Sequence, residues 1–218
     1  SRKGLAGGVQ YCDGQFDDAR LAIALAVTSF EKGAVVTNYA RVTALRMGER
    51  LKSVVVSDVE NGREYVVSAK AVVNAAGVVA FGPLAETDPA ALHEVITTDL
   101  TAPLALIGEA AAHLDGGFVV NLTGVVAEQP FPGMAPYVAA KSGLSAATAA
   151  LARELRRSGV LVIDARPPHT ETGLADRPVS GAAPAMAEGL DPLHVANVIV
   201  EGLRSGAREL ASEAFSAT

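Results

Sequence analysis

The pattern of apolar and polar positions changes twice along the chain. Near the N-terminus, an Ala-rich amphipathic stretch at residues 17–33 predicts a helix, and a β-branched run at 34–38 predicts a strand. Residues 41–71 then alternate apolar and polar positions, and Asn61 is followed by Gly62, the dipeptide that best suits a two-residue hairpin turn. This pattern predicts an antiparallel meander of three strands, near 41–45, at 51–59 and at 64–68.

A short apolar run at residues 71–77 separates the meander from the rest of the chain. It is typical of a buried parallel strand that opens into a ligand-facing turn at Gly77. Beyond it, the pattern predicts helices at 89–114, 137–157 and 192–204, strands at 118–122 and 160–164, and a Pro- and Gly-rich loop at 166–189. This alternation predicts an α/β fold with a doubly wound parallel sheet, and the meander as a flap beside it.

The edge of this sheet at residues 71–74 needs a neighbour, because an unpaired apolar strand exposes its backbone donors. The next strand upstream with parallel character is the run at 34–38. We therefore expect 34–38 to pair with 71–74. A strand of the meander, or a second chain, would be the alternative neighbour.

Composition narrows the class of protein. The 218 residues suffice for one large or two small domains, and the net charge of −6 without basic clusters argues against nucleic acid as a partner. No apolar run reaches the roughly 20 residues of a membrane span, and no secretory leader is visible. A single cysteine, Cys12, excludes an internal disulfide and favours a cytoplasmic location. The four histidines lack the spacing of metal ligands, so no metal site is expected.

Tyr137 and Lys141 are four residues apart in the predicted helix at 137–157. This spacing places the phenol and the ammonium group side by side on one helix face. A nearby cation stabilises phenolate, so we expect Lys141 to lower the pKa of Tyr137 to a value useful for proton transfer. Taken alone, the same pair also fits a solvated helix face.

The segments around this pair resemble the short-chain dehydrogenase/reductase family in order and spacing. They are the turn Asn74-Ala75-Ala76-Gly77 and the stretches 116–122, 132–142 and 166–172, and the resemblance covers about residues 72–218. It implies a Rossmann-like sheet, with Tyr137 as the catalytic acid/base and Lys141 as its pKa partner and ribose contact. It also implies that Asn74, Ala75, Ala76 and Gly77 lie beside the adenosine end of NAD or NADP, and that Thr172 contacts the nicotinamide carboxamide.

Two positions depart from that family's pattern. Its catalytic Ser falls where this chain has Gly124, and the adjacent Thr123 is the candidate substitute, although neighbouring side chains of an extended chain face opposite ways. Its active-site Asn falls at Asp99, where the family uses the backbone carbonyl. Pro103, which has no N–H, leaves that carbonyl free. Loss of the Ser removes a hydrogen bond to the substrate oxygen, so Gly124→Ser is expected to raise activity.

Residues 4–77 resemble a different family, FAD-dependent glycerol-3-phosphate dehydrogenase. The stretches 8–21 and 33–42 and the hairpin at 60–65 carry this resemblance, which implies that the backbone at Val42 borders the FAD adenine. Both families bind their dinucleotide mainly at a Gly-rich turn after the first strand. Residues 4–8 contain glycines, but no convincing helix follows them, so weak binding of NAD or NADP is expected.

The chain is thus expected to comprise a flavoenzyme-like segment at 1–76 and a short-chain dehydrogenase-like half at 77–218, packed as one unit. The leading interpretation is an oxidoreductase that moves hydride between NAD or NADP and a small carbonyl compound or alcohol. Two alternatives stay open: a composite or engineered scaffold (a chimera) without catalysis, and a fragment of an FAD-dependent glycerol-3-phosphate dehydrogenase. The choice between NAD and NADP, and whether the chain forms a homo-oligomer, also stay open.

Overall fold

The computed structural model describes residues 39–47, 52–69, 76–111 and 116–216, together with the single positions 27, 31, 37 and 114. Two compact units are present, residues 1–41 with 57–64 and residues 42–56 with 65–218. Val27 and Glu31 are helical, as expected for the N-terminal stretch. The predicted pairing of 34–38 with 71–74 lies outside the described residues, and the division of the chain at residue 76 stays a prediction.

The predicted meander is confirmed. Its strands are β1 (Ala40–Met47), β2 (Lys52–Asp58) and β3 (Glu64–Ala69), in the sheet order β1-β2-β3. Whether it covers the parallel sheet as a flap stays a prediction.

The turn between β2 and β3 is longer than the two residues expected from Asn61-Gly62. The Asp58 N–H donates to the Arg63 carbonyl at 2.9 Å, which leaves four residues between the paired positions. The Asp58 carboxylate accepts the Glu60 N–H at 2.9 Å and the Asn61 side-chain amide at 2.7 Å. These bonds stabilise the wider turn, in which Gly62 has φ 71°.

A parallel sheet forms the centre of the larger unit. Its described strands are β4 (Phe118–Leu122), β5 (Leu161–Ala165) and β6 (Glu209–Leu210), in the order β4-β5-β6. The sequence pattern predicted β4 and β5 but not the two-residue β6. Helix α3 (Ala135–Glu154) lies between β4 and β5 in the chain, and α4 (Pro192–Ser205) precedes β6.

Alternate side chains of β5 reach two different cores. Val162 packs with Leu151 and Leu155, at the C-terminal end of α3 and just beyond it. Ile163 packs in a second cluster with Val195 of α4. Apolar residues on both faces with a helix on each give the predicted doubly wound arrangement.

The helix predicted over 89–114 is interrupted. It comprises α1 (Pro89–Ile96), a π-helical turn (Thr97–Thr101) and α2 (Ala102–Ala111). Pro103 cannot donate to the carbonyl of residue 99, and the Ala102 N–H reaches back five residues to Thr97.

Among the described residues, the segment Pro89–Ala111 is long and apolar enough to cross a membrane by length and composition alone. That is weak evidence for a span, because the core helix of a soluble protein passes the same test. In this structure the segment packs against α3.

Candidate active site

The predicted pair on α3 is brought to the carboxyl end of the parallel sheet. The Lys141 Nζ lies 5.5 Å from the centroid of the Tyr137 ring. It also donates a hydrogen bond to the carbonyl of Leu122, the last residue of β4, at 3.0 Å. The N-terminal half of α3 therefore presents both groups beside the end of a strand, which is where ligands bind in open α/β sheets.

The π-helical turn packs closely against α3, beside Tyr137 and Lys141. Tyr137 packs against the buried cluster of Ala80, Val95 and Ala140. Gly143, further along α3, lets Leu100 of the turn approach closely, because an added Cβ would lie 3.3 Å from the Leu100 Cδ2. The turn that carries Leu100 also carries Asp99.

Asp99 is the buried carboxyl group of this site, with 1% of its surface exposed. Its Oδ1 accepts the Val78 N–H at 3.2 Å, and its Oδ2 has no hydrogen-bond partner within the described part of the chain. Burial raises the pKa of Asp99, while the Lys141 charge and the Val78 N–H lower it in part. A π-helical turn of this kind is frequent at functional sites.

The expected lowering of the Tyr137 pKa is wrong for this arrangement. Burial raises the pKa of the Tyr137 phenol, and the nearby charge of Asp99 raises it further. Burial also lowers the pKa of Lys141, against the opposing effect of Asp99. Because desolvation and the Asp99 charge both disfavour phenolate, the neutral phenol is the favoured form of Tyr137.

Thr123 is fully buried, and its hydroxyl donates to the Asp164 Oδ1 at 2.5 Å. The other Asp164 oxygen accepts the Ser145 hydroxyl at 2.6 Å. The Thr123 proton is therefore held within the protein, and this placement does not support the predicted role as a substitute for Ser. Beside it, Gly124 has φ 77° and ψ 163°, a conformation that is almost restricted to glycine.

Asp164 belongs to a charged network that the sequence analysis missed. Arg166 pairs with Glu128 at 3.2 Å, with Asp164 at 3.5 Å, and with Glu209 of β6. Glu128 in turn accepts the Ser212 hydroxyl at 2.6 Å. The available signal was an Asp inside an otherwise apolar strand, since a buried carboxylate requires polar partners.

The cofactor-side candidates are only partly described. Asn74 and Ala75 lie outside the described residues, whereas Ala76 is exposed and Gly77 is half-buried next to Asp99. Thr172 is exposed in the loop after β5, and its N–H donates to the Thr170 carbonyl at 2.7 Å. Val42, on β1, is 57% exposed. Of the predicted set, the structure thus groups Gly77, Asp99, Tyr137 and Lys141 through the contacts of Asp99 and α3.

Comparison with known proteins places these residues in context. The family model described as short chain dehydrogenase matches residues 31–181. A short-chain dehydrogenase from Sphingobium yanoikuyae in complex with NADPH has a TM-score of 0.57 and 25% identity, covering 63% of this chain and 54% of that chain. A dehydrogenase/reductase from Sinorhizobium meliloti 1021 has a TM-score of 0.54 and 29% identity, covering 66% of this chain and 62% of that chain.

A curated relative comes from the second family that the sequence resembles. The probable mitochondrial glycerol-3-phosphate dehydrogenase of Dictyostelium discoideum is 40% identical over 85 residues, which are 35% of this chain and 13% of that protein. The chain therefore spans only a small part of this relative's length. Both resemblances seen in the sequence are confirmed.

Proposed function

Because this chain belongs to the short chain dehydrogenase family, whose model it matches over residues 31–181, we propose that it is an oxidoreductase acting on a small carbonyl compound or alcohol with NAD or NADP. The observation that carries this proposal is the placement of Tyr137 and Lys141. Tyr137 is half-buried, and the Lys141 ammonium group lies 5.5 Å from its ring at the end of β4. The arrangement places a proton donor and a cation side by side, which supports proton transfer to a carbonyl oxygen, although the Tyr137 pKa is not lowered.

The described residues around Gly77 and Lys141 leave room for such a cofactor. Of the described residues, only Asp99 would lie within 4 Å of a Cβ added at Gly77, with its Oδ1 at 3.6 Å, and this supports room for a bound group at the turn. As the family resemblance implies, Gly77 would border the adenosine end of the cofactor, and Lys141, which now donates to the Leu122 carbonyl, would bind a ribose hydroxyl. When bound, NAD or NADP supplies or accepts the hydride.

In the proposed reaction, Tyr137 gives its phenol proton to the substrate oxygen during carbonyl reduction. It recovers a proton from the alcohol in the reverse direction. Lys141 stabilises the phenolate that remains after the proton has left. Through its Oδ1, Asp99 holds the Val78 N–H and so fixes the backbone that follows the Gly77 turn.

We propose that this activity is weak. At Gly124 the chain has no side chain to donate to the substrate oxygen, and the Thr123 hydroxyl donates to Asp164. Removing one donor from such a site costs about 10²–10³ in kcat. The same observation favours the second candidate, a scaffold without catalysis, in which Lys141 only binds the Leu122 carbonyl and Thr123 only binds Asp164.

Titration with NADPH, NADH and FAD separates the candidates. Binding of a nicotinamide cofactor, followed by its oxidation with a panel of small ketones and aldehydes, supports the proposed enzyme. Binding of none of the three supports the scaffold, and binding of FAD alone supports a fragment of the flavoenzyme. Tyr137→Phe is the matched control, because it removes only the phenol oxygen.

A further inference from the structure

A groove lies beside the C-terminal half of α3, on the face of the parallel sheet that α3 covers. Two cavities of about 200 and 390 Å³ adjoin there, because Ala152, Val162 and Arg208 line both of them. Ala152 belongs to α3, Val162 belongs to β5, and Arg208 directly precedes β6. At this point α3 presents the small side chains of Ala149 and Ala152, which leave space for a small organic molecule.

The smaller cavity is lined by two arginines, Arg156 and Arg208. Both are exposed, and within the part of the chain that the structure describes neither forms an ion pair. Arg166, which lines the larger cavity, pairs by contrast with three carboxylates. In a protein with a net charge of −6, the two arginines form a local positive charge that a bound anion would balance.

Arg156 lies in the short turn that follows α3 (Leu155–Ser158). The last carbonyl groups of a helix carry partial negative charge, which repels anions. Here the Val160 N–H donates to the Leu155 carbonyl at 3.4 Å. The Gly116 N–H donates to the Ser158 carbonyl at 2.7 Å. A helix end is equivalent to about half a unit charge, so the two arginines outweigh the repulsion that remains.

Phosphate fits the smaller cavity better than a carboxylate does. Each guanidinium presents two parallel N–H donors, which pair with two oxygens of one phosphate group. A phosphate monoester carries about −1.5 to −2 charge at pH 7, which balances both arginines, whereas a carboxylate carries a single charge. The larger cavity has room for the rest of such a molecule, and its lining includes the Ser145 hydroxyl and the Glu209 carboxylate, which can bind hydroxyl groups.

We propose that this groove binds a small, hydroxylated phosphate monoester, with its phosphate between Arg156 and Arg208. The groove is separate from the candidate active site. At about 1.5 Å per residue, Ala152 lies roughly 16 Å along α3 from Lys141. The proposal therefore does not depend on the oxidoreductase function, and the two can fail separately.

Calorimetric titration in a low-salt buffer tests the proposal, with glucose 6-phosphate as the probe. We expect saturable binding of one molecule per chain, and no binding of glucose, which lacks the phosphate. Acetate should bind at least about tenfold more weakly than glucose 6-phosphate, because it carries a single charge. Absence of binding at millimolar glucose 6-phosphate, or equally tight binding of glucose or acetate, would overturn the proposal.

Two variants test the arginines themselves. Arg156→Gln and Arg208→Gln should each weaken the binding of glucose 6-phosphate by about tenfold or more, because each removes a charge-assisted contact. Arg157→Gln is the matched control, since Arg157 lies in the same turn and is also exposed but lines neither cavity. It removes the same charge and should change the affinity by less than about twofold.

An equal loss of affinity in Arg156→Gln and Arg157→Gln would mean that a basic turn attracts anions in general, and it would refute the site. Thermal unfolding accompanies each titration. Because all three arginines are exposed, their variants should keep the Tm of the unaltered protein, so that a loss of affinity reports the contact and not the fold.

Discussion

Gly124→Ser would place a hydroxyl where the family has its catalytic Ser. The structure leaves room for the side chain, because a Cβ at this position would meet the Pro167 carbonyl oxygen at 3.8 Å and the Val126 Cγ2 at 3.9 Å. The backbone is the obstacle, since φ 77° with ψ 163° is a conformation that is costly for any residue with a Cβ. The substitution therefore combines a functional gain with a structural cost.

Both effects can be estimated. Holding a serine in this conformation costs about 1–3 kcal/mol of folding free energy. For a domain of this size that corresponds to a fall of about 2–12 °C in Tm, at about 2–4 °C per kcal/mol. The hydroxyl, if it reaches the substrate oxygen, is worth about 10²–10³ in kcat. The cost appears in stability and the gain in rate, so the two can be measured separately.

Gly124→Ala is the control that separates them, because it has the same backbone strain and no hydroxyl. We expect both variants to lose stability equally in thermal unfolding, and only Gly124→Ser to accelerate ketone-dependent oxidation of NADPH. A serine variant as stable as the original protein would refute the strain argument. Equal rates for the folded Ser and Ala variants would show that the hydroxyl does not reach the substrate.

Three further predictions concern the same site. Tyr137→Phe should abolish carbonyl reduction, measured as NADPH oxidation, and full retention of activity would exclude Tyr137 as the proton donor. Calorimetry should give a Kd for NADPH well above the low micromolar range, because no Gly-rich turn is found in the sequence, and tighter binding would contradict this. Asp99→Asn should increase the free energy of unfolding at neutral pH. Burial raises the pKa of Asp99, so the stability that is present below the ordinary pKa of an Asp is lost as the pH rises through the raised pKa. An Asn side chain does not ionise and so avoids this loss. Urea unfolding at acid and neutral pH measures this, and an unchanged pH dependence would count against it.

The sequence predicted those elements that have a clear period. The alternation of the meander and the apolar runs of β4 and β5 gave these strands within a few residues. β6 has only two residues, too few for any pattern. The π-helical turn depends on Pro103 and on the packing of α3 against Leu100, and only the first of these is visible in a sequence.

The sequence predicted that Tyr137 and Lys141 lie side by side, but it did not predict the direction in which the Tyr137 pKa is shifted. The spacing of Tyr137 and Lys141 on a helix fixes their proximity, because helix geometry is local. The direction of the Tyr137 pKa shift depends on how many atoms surround the side chain, which is decided by residues far along the chain, such as Val95, whose cluster Tyr137 packs against. Partners of Asp164 were missed for the same reason, since Thr123 and Ser145 meet it only in the folded protein.

The charges at this site bear on the pH dependence of the proposed reaction. Carbonyl reduction needs a protonated phenol, and alcohol oxidation needs phenolate. Burial and the Asp99 charge both disfavour phenolate at Tyr137, while the same burial lowers the pKa of Lys141, the cation that would favour it. The neutral amide of the family's Asn would not contribute the Asp99 part of this effect. Tyr137 is therefore expected to be in the form that donates a proton to a carbonyl oxygen, and oxidation of an alcohol should need a higher pH.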